Sequence, residues 1–255
     1  MQEPELKKHW ENNFRQQGIF PIANWFPQIQ ILKHRLFTIF IFLNSFSFNY
    51  KRLPLNMPNQ KIGFNNSIIS EIFKGIAFSE KERHLIESNL EKLNLKKGTS
   101  ILKADDRVHY QYYVYDGCLR TYFIDQSGKE HTLQFAINDW WISDYTAFFT
   151  ASKAIMHIET IQQATLYRIS KKNMEDLFIE IPQLETFFRK KMERAFASFQ
   201  KRILASLAQS AKERYLSFIK TYPNIEQTVK NYHIASYLGI TTESLSRIRK
   251  EISLR

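Results

Sequence analysis

Five polar side chains near the carboxyl end fall on one helical face: Thr242, Glu243, Ser246, Arg247 and Lys250. Leu245, Ile248 and Ile252 interleave with them at helical spacing, so a helix from residue 242 to 251 buries one stripe and turns the polar set outward. The chemistry of that set is the reading of base edges. A guanidinium such as that of Arg247 forks onto guanine O6 and N7, a carboxylate such as Glu243 accepts from cytosine N4, and Thr or Ser hydroxyls bond phosphate or thymine. On charge alone a solvated basic face explains the same residues equally well.

The elements that must position this face are legible just upstream. Residues 211–221 read as a helix stopped by Tyr222-Pro223, and residues 229–238 as a short helix with Ile234, Ala235 and Leu238 inward. Gly239 ends that helix, as a left-handed C-terminal position favours, and Ile240-Thr241 makes the turn into the next. Helix, tight glycine turn and helix is the helix-turn-helix arrangement, in which the second helix enters the DNA major groove by its N-terminal end.

Further upstream, the period after Pro182 is helical for some 25 residues. Leu184, Phe188, Met192, Ala195, Phe199, Ile203 and Ser206/Leu207 approach the 3.5 repeat that holds an apolar seam against a second helix. Arg189, Lys190, Lys191, Lys201 and Arg202 lie opposite the seam. The stripe packs either on the chain's own barrel or, as the length of the helix and the aromatics at the seam favour, against its twin in a homodimer.

Residues 99–168 change to a strand-like period. Tyr112 to Tyr115 and Leu119 to Ile124 flank Asp116-Gly117, which predicts a tight hairpin. A second turn at Gln126-Ser127-Gly128 separates Thr121–Ile124 from His131–Phe135, and further strands fit residues 156–161 and 165–169. Brief strands punctuated by turns indicate an antiparallel barrel or jelly roll. Before them, Ser79-Glu80-Lys81-Glu82 is a capping box that opens a helix through Leu85, Ile86, Leu90 and Leu93, expected to end near Asn94.

Composition narrows the function classes. The single cysteine, Cys118, removes disulfide scaffolds, four-thiolate zinc sites and protein-held iron-sulfur clusters, and suits a reducing compartment, hence a cytoplasmic protein. The seven glycines are too dispersed for a P-loop, GxGxxG or GxSxG, and no two histidines sit three or four residues apart. Neither an enzyme nor a bound cofactor or metal is expected. The net charge of +11 is not uniform: residues 1–56 carry 7 Lys and Arg against 3 acids and residues 211–255 carry 8 against 4, while the middle is nearly balanced. A localised basic surplus marks a polyanion partner. Residues 1–56 include the apolar run Leu36–Leu43, too short for a membrane span, and are expected to be an upstream extension outside the fold, with a membrane tether as the rival.

Three roll-like segments, Tyr112–Gly117, Ser127–Glu130 and Tyr167–Ser170, together with the stretch Ile234–Lys250, resemble the Crp/Fnr family of bacterial transcription regulators, over about residues 66–252. The resemblance implies an α+β chain: an antiparallel, cyclic-nucleotide-binding-like β-roll over 57–181, a dimerisation helix over 182–208, and a helix-turn-helix, winged-helix-like domain over 209–255 that lacks wing strands before Arg255. It implies a homodimer on a palindromic site in double-stranded DNA, in contact with RNA polymerase. Glu243 and Arg247 match the family's base readers; Thr242 stands where the family usually has Arg, so a different half-site is expected. Thr241 and Ser244 match phosphate-contacting positions, with Lys250 a third.

The family's ligand cassette is less well matched. Ser143-Asp144 stands at its Gly-Glu and Ala154-Ile155 at its Arg-Ser, and a phosphate site without its guanidinium leaves the anion unpaired. Cyclic AMP is therefore an unexpected effector, and Asp144 is retained as the residue of an effector pocket, with a solvated loop carboxylate as its commoner fate. The alternative to a DNA regulator is a small-molecule-binding or metal-dependent cupin-like barrel; against it stands the dispersal of His109, His131 and His157.

Overall fold

The computed structural model describes residues 68–253, so the expectations placed on residues 1–56 lie outside the described residues. Two short helices, α1 (Ile68–Ile72) and α2 (Glu80–Asn89), precede eight strands: β1 (Glu91–Leu95), β2 (Ser100–Leu102), β3 (Tyr110–Asp116), β4 (Leu119–Ile124), β5 (Glu130–Ala136), β6 (Trp140–Ile142), β7 (His157–Thr160) and β8 (Ala164–Ser170). The strands form two antiparallel four-stranded sheets, ordered β1-β8-β3-β6 and β2-β7-β4-β5. Leu102, Val114, Leu119, Ala136, Ile142, Ile158 and Leu166 are buried together in one apolar cluster drawn from both sheets. The fold is thus the antiparallel roll that the strand pattern predicts.

Two local expectations are corrected. The α2 helix opens on the capping box, with Ser79 and Glu82 satisfying each other's backbone amides, but it stops at Asn89. Leu93 belongs instead to β1, where Glu91–Leu95 pairs antiparallel with Ala164–Arg168. Pairing with a strand some seventy residues away outweighs the helical spacing of the leucines.

Asp116-Gly117 does not close a hairpin either. β3 pairs with β6 and β8, whereas β4 pairs with β5 and β7, so the two flanking strands lie in different sheets. Gly117 makes the corner between them at φ 101°. The chain passes so close to β8 there that a Cβ on residue 117 would lie 2.5 Å from the carbonyl oxygen of Gln163. The turn at 125–129, by contrast, joins paired strands as expected.

Helices α3 (Tyr145–Thr150) and α4 (Lys171–Glu180) are absent from the sequence reading, each being too short or too polar to show a periodic apolar face. The long helix α5 (Pro182–Ala208) begins with proline at its N-terminus, where no amide partner is lost. Its first turns bury Leu184 and Phe188 in a cluster with Phe73, Trp141 and Leu177, which makes Trp141 a core residue. Beyond that, Phe199, Leu204 and Leu207 are exposed. Helices α6 (Ala211–Thr221), α7 (Asn231–Leu238) and α8 (Thr242–Ser253), with a short 3-10 turn at Ile225–Gln227, complete the described residues.

Candidate nucleic-acid interface

Helices α7 and α8 are joined by a turn of three residues, closed by backbone geometry. Gly239 takes a left-handed conformation at φ 68°, and the amides of Gly239 and Ile240 return to the carbonyls of Ser236 and Ala235 at 3.2 and 3.0 Å. This glycine-ended hydrogen-bond pattern satisfies carbonyls that would otherwise be orphaned at the helix end. Thr241 then caps α8, its hydroxyl oxygen accepting from the amide of Ser244 at 3.2 Å.

Packing orients the second helix. Leu245 and Ile248 are buried with Ile234, Ala235 and Leu238 of α7 and with Tyr215 and Phe218 of α6. Arg249, also on the inner side, is fastened to three elements. It pairs with Glu226 at 2.6 Å, donates to Asn231 Oδ1 at 2.7 Å, and donates from Nε to the Tyr215 hydroxyl at 3.2 Å. Lys212 of α6 adds an ion pair with Glu251 at 3.1 Å. Sequence reasoning did not single out Arg249, because nothing in its spacing separates an anchoring arginine from the outward Arg247.

With the inner stripe fixed, Glu243, Ser246, Arg247 and Lys250 emerge on the exposed side of α8 and Thr242 sits half-buried beside them. Arg247 and Lys250 make no ion pair with any described residue. Glu243 is held below the usual carboxylate range by its own backbone amide first and then by the hydroxyls of Thr241 and Thr242, so it is an obligate acceptor at neutral pH. The Thr242 hydroxyl donates to Glu243 Oε1 at 2.9 Å and Ser246 donates to the Thr242 carbonyl at 3.0 Å. Thr241 and Ser244 are both exposed enough to meet a phosphate, at the start of a helix whose free amides favour an anion.

The roll's cassette residues lie elsewhere and are not brought together with this face. Asp144 is neither solvated nor open to a ligand, which corrects both expectations for it. It is fully buried at the N-terminus of α3, accepting from the amide of Ala147 at 3.2 Å through Oδ1 and from those of Ile155 and Met156 at 2.8 and 3.2 Å through Oδ2. Both oxygens are consumed in tying the helix to the loop that follows it. Ala154 is buried in the apolar interior of the roll.

The sensing half has other polar features. Clefts of about 280 and 230 Å³ share Tyr110 and Arg168 on the β1-β8-β3 sheet. Arg168 is already engaged there, bidentate to Glu91 at 2.9 Å on each oxygen and stacked 4.1 Å from the Tyr110 ring centre. His131 pairs with Asp125 at 2.6 Å, and His157 stacks on Tyr122. Among the described residues no group of three or more His, Cys, Asp or Glu is placed to hold a metal, and no helix is long and apolar enough to cross a membrane.

Residues 92–180 match the cyclic nucleotide-binding domain family. The chain is 25% identical over 195 residues to the anaerobic regulatory protein of Haemophilus influenzae, covering 71% of this chain and 74% of the relative. Among solved structures, a putative transcriptional regulator of the Crp/Fnr family from Eubacterium rectale superposes with a TM-score of 0.56 at 21% identity, over 69% of this chain and 84% of that one. The c-di-GMP-responsive global regulator CLP of Xanthomonas campestris superposes with a TM-score of 0.57 at 12% identity, over 69% and 92%. These structural likenesses speak for the α+β fold, and the relatives carry the names of regulators rather than enzymes.

Proposed function

We propose that this chain, which belongs to the Crp/Fnr family of regulators, reads a palindromic DNA site as a homodimer and so regulates transcription. The observation that carries the proposal is the outward face of α8. A forked cation, a carboxylate and two hydroxyls stand together on a helix held from behind, at the end of a chain segment with a basic surplus. In this reading Glu243, Arg247 and Thr242 meet base edges, while Thr241, Ser244 and Lys250 meet phosphates.

The exposed Phe199 and Leu207 of α5 support pairing with a second copy, which would present two α8 helices to half-sites about one helical turn apart. In this reading the DNA-bound dimer contacts RNA polymerase, and the protein works in the cytoplasm with the DNA. The roll serves as a sensor that does not take cyclic AMP: the position expected to pair with the phosphate is a buried alanine, and the position expected to bind the ribose is a fully buried carboxylate that accepts three backbone amides. Footprinting on upstream DNA from the source genome tests the central claim. A protected site with twofold symmetry is expected; absence of any protected site refutes it.

A further inference from the structure

The seam between the roll and the C-terminal helices combines an apolar cluster with hydrogen bonds to the backbone of the roll. β5 is an edge strand, so its outer backbone groups have no strand to pair with. Helix α7 serves them instead: the amide of Thr132 donates to the Ser236 hydroxyl at 2.8 Å, and that hydroxyl donates onward to the Glu130 carbonyl at 2.9 Å. From α5, Arg202 donates through Nη2 to the carbonyls of Thr132 at 3.4 Å and Tyr237 at 3.3 Å, with its guanidinium 3.9 Å from the Tyr237 ring centre. Arg202 is therefore part of the seam and not of the solvated face that its place opposite the apolar stripe suggested.

Beside these contacts the seam encloses a buried guanidinium and a buried imidazole. Arg120 of β4 is 3% exposed, bound by Glu159 through Nε and Glu130 through Nη2, both at 2.6 Å. His233 of α7 is 5% exposed, and its Nδ1 has no hydrogen-bond partner among the described residues; the same holds for Arg120 Nη1 and Thr132 Oγ1. A neutral imidazole is tolerated at such a place. A second ring proton, on Nδ1, would be buried without an acceptor.

We propose that His233 is a proton-operated latch on this seam: neutral, it lets α7 lie along β5, and protonated, it buries a ring charge that no acceptor meets and drives the C-terminal helices off the roll. The inference rests on the reading of α8 as a DNA reader and adds a signal to it, acidification. Burial first, then the charges of Arg120 and Lys230, push the His233 ring down to about 4 from its ordinary 6.5. Because the docked state binds this proton more weakly than the undocked state, docking is unaffected above about pH 6.5. It then weakens about tenfold per pH unit until about pH 4.

The other titratable groups at the seam already have partners. Glu130 from β5 and Glu159 from β7 both hold Arg120, His131 is paired with Asp125, His157 is stacked on Tyr122, and from α8 Arg249 is held by Glu226.

The lone cysteine reports on the seam directly. Cys118 is buried in the cluster that joins Phe135 and Ile161 of the roll to Tyr215, Phe218 and Ile234 of the helices, and burial pushes its thiol up to about 12. Labelling of the purified full-length chain by 4,4′-dithiodipyridine at pH 7.5 and 5.0, each rate divided by the rate in denaturant at the same pH, measures how often the seam opens. The wild-type ratio is expected to rise about thirtyfold at pH 5.0. In His233→Gln and His233→Phe it stays level with pH, and in Ser236→Ala it is high at both values. A level wild type, or a rise of wild-type size in both His233 variants, overturns the latch. So does loss of the far-ultraviolet helix signal in step with labelling, since the latch requires a folded, undocked chain. No DNA enters the measurement, so a chain that labels as expected but protects no operator refutes the reading of α8 and leaves the latch standing.

Discussion

The carboxylate of Asp144 reaches across the roll's short helix to the amide of Ile155 at 2.8 Å, and this contact converts what looked like a ligand position into a structural tie. Asp144→Ala strands the buried amide of Ala147 and the part-buried amides of Ile155 and Met156 and should destabilise the chain by about 2 kcal/mol or more, while Asp144→Asn keeps one acceptor oxygen and should lose less. Urea denaturation at pH 7 distinguishes the two. Millimolar cyclic AMP should leave the wild-type midpoint in place, because a ligand that does not bind the native state adds no stability.

Gly117 is fixed by both conformation and space. An alanine there needs a left-handed backbone and must push its Cβ into the chain at Gln163 and Ala164. Gly117→Ala should therefore lower stability by at least about 2 kcal/mol. Alanine at Gly128, also at positive φ but with no atom within 4 Å of the added Cβ, should cost about 1 kcal/mol. Equal losses at the two positions would show that the close approach at the corner is not felt.

The contrast between these two glycines also shows how much could be read from the sequence. Gly128 joins strands that are neighbours both in sequence and in the sheet, so turn chemistry alone located it. Gly117 joins strands in different sheets, and only the pairing of β3 with β8 and of β4 with β7 says so. The helices α5 to α8 were legible because their apolar periods and caps are local. Their docking was not: Ser236, Arg202 and His233 acquire their roles from β5 and β4, a hundred residues away for Ser236. Asp144 was found by position, but its three amide donors depend on how the following loop returns to it.

Acid should loosen the β4–β5 hairpin independently of the seam. The hydroxyl of Ser127 and the ring of His131, ahead of the backbone amides of Lys129 and Ser127, hold the Asp125 carboxyl well below the usual carboxylate range. A depressed carboxyl contributes stability that is present above its unfolded value near 4 and is lost as pH falls through the folded one. Amide exchange in residues 125–131 should thus accelerate, after correction for intrinsic rates, only below about pH 4. In Asp125→Asn it should be fast throughout; an unchanged variant would mean the carboxylate does not hold the turn.

Two cations on α8 should separate by the kind of binding they support. If Arg247 forks onto a guanine, Arg247→Ala should cost about 1 to 3 kcal/mol on the specific site and relax preference at one base position in each half-site. Lys250→Ala should instead weaken all sequences alike and reduce the slope of log affinity against log salt by about one. Titrations at several salt concentrations, on operator and scrambled duplexes, give both quantities. Identical behaviour of the two variants would count against a base-reading role for Arg247.

The long helix gives a prediction that links assembly to reading. Leu207 is 62% exposed and Phe199 36% exposed in the isolated chain, although both lie on the repeat that buries Leu184 and Phe188 further up. Apolar groups kept in register over seven turns but fully buried only at one end are explained by a second copy covering the rest. Phe199→Glu with Leu207→Glu should then shift sedimentation from dimer to monomer at micromolar concentration. The denaturation midpoint of the monomer should move less than for a core substitution, since Leu207 is largely exposed and Phe199 is not fully buried. Operator affinity should fall far more than affinity for a single half-site, because the loss is of two linked contacts rather than of any contact to DNA. A double variant that remains dimeric would place the twofold interface elsewhere, while one that is monomeric yet binds the full operator undiminished would remove the dimer from the reading mechanism altogether.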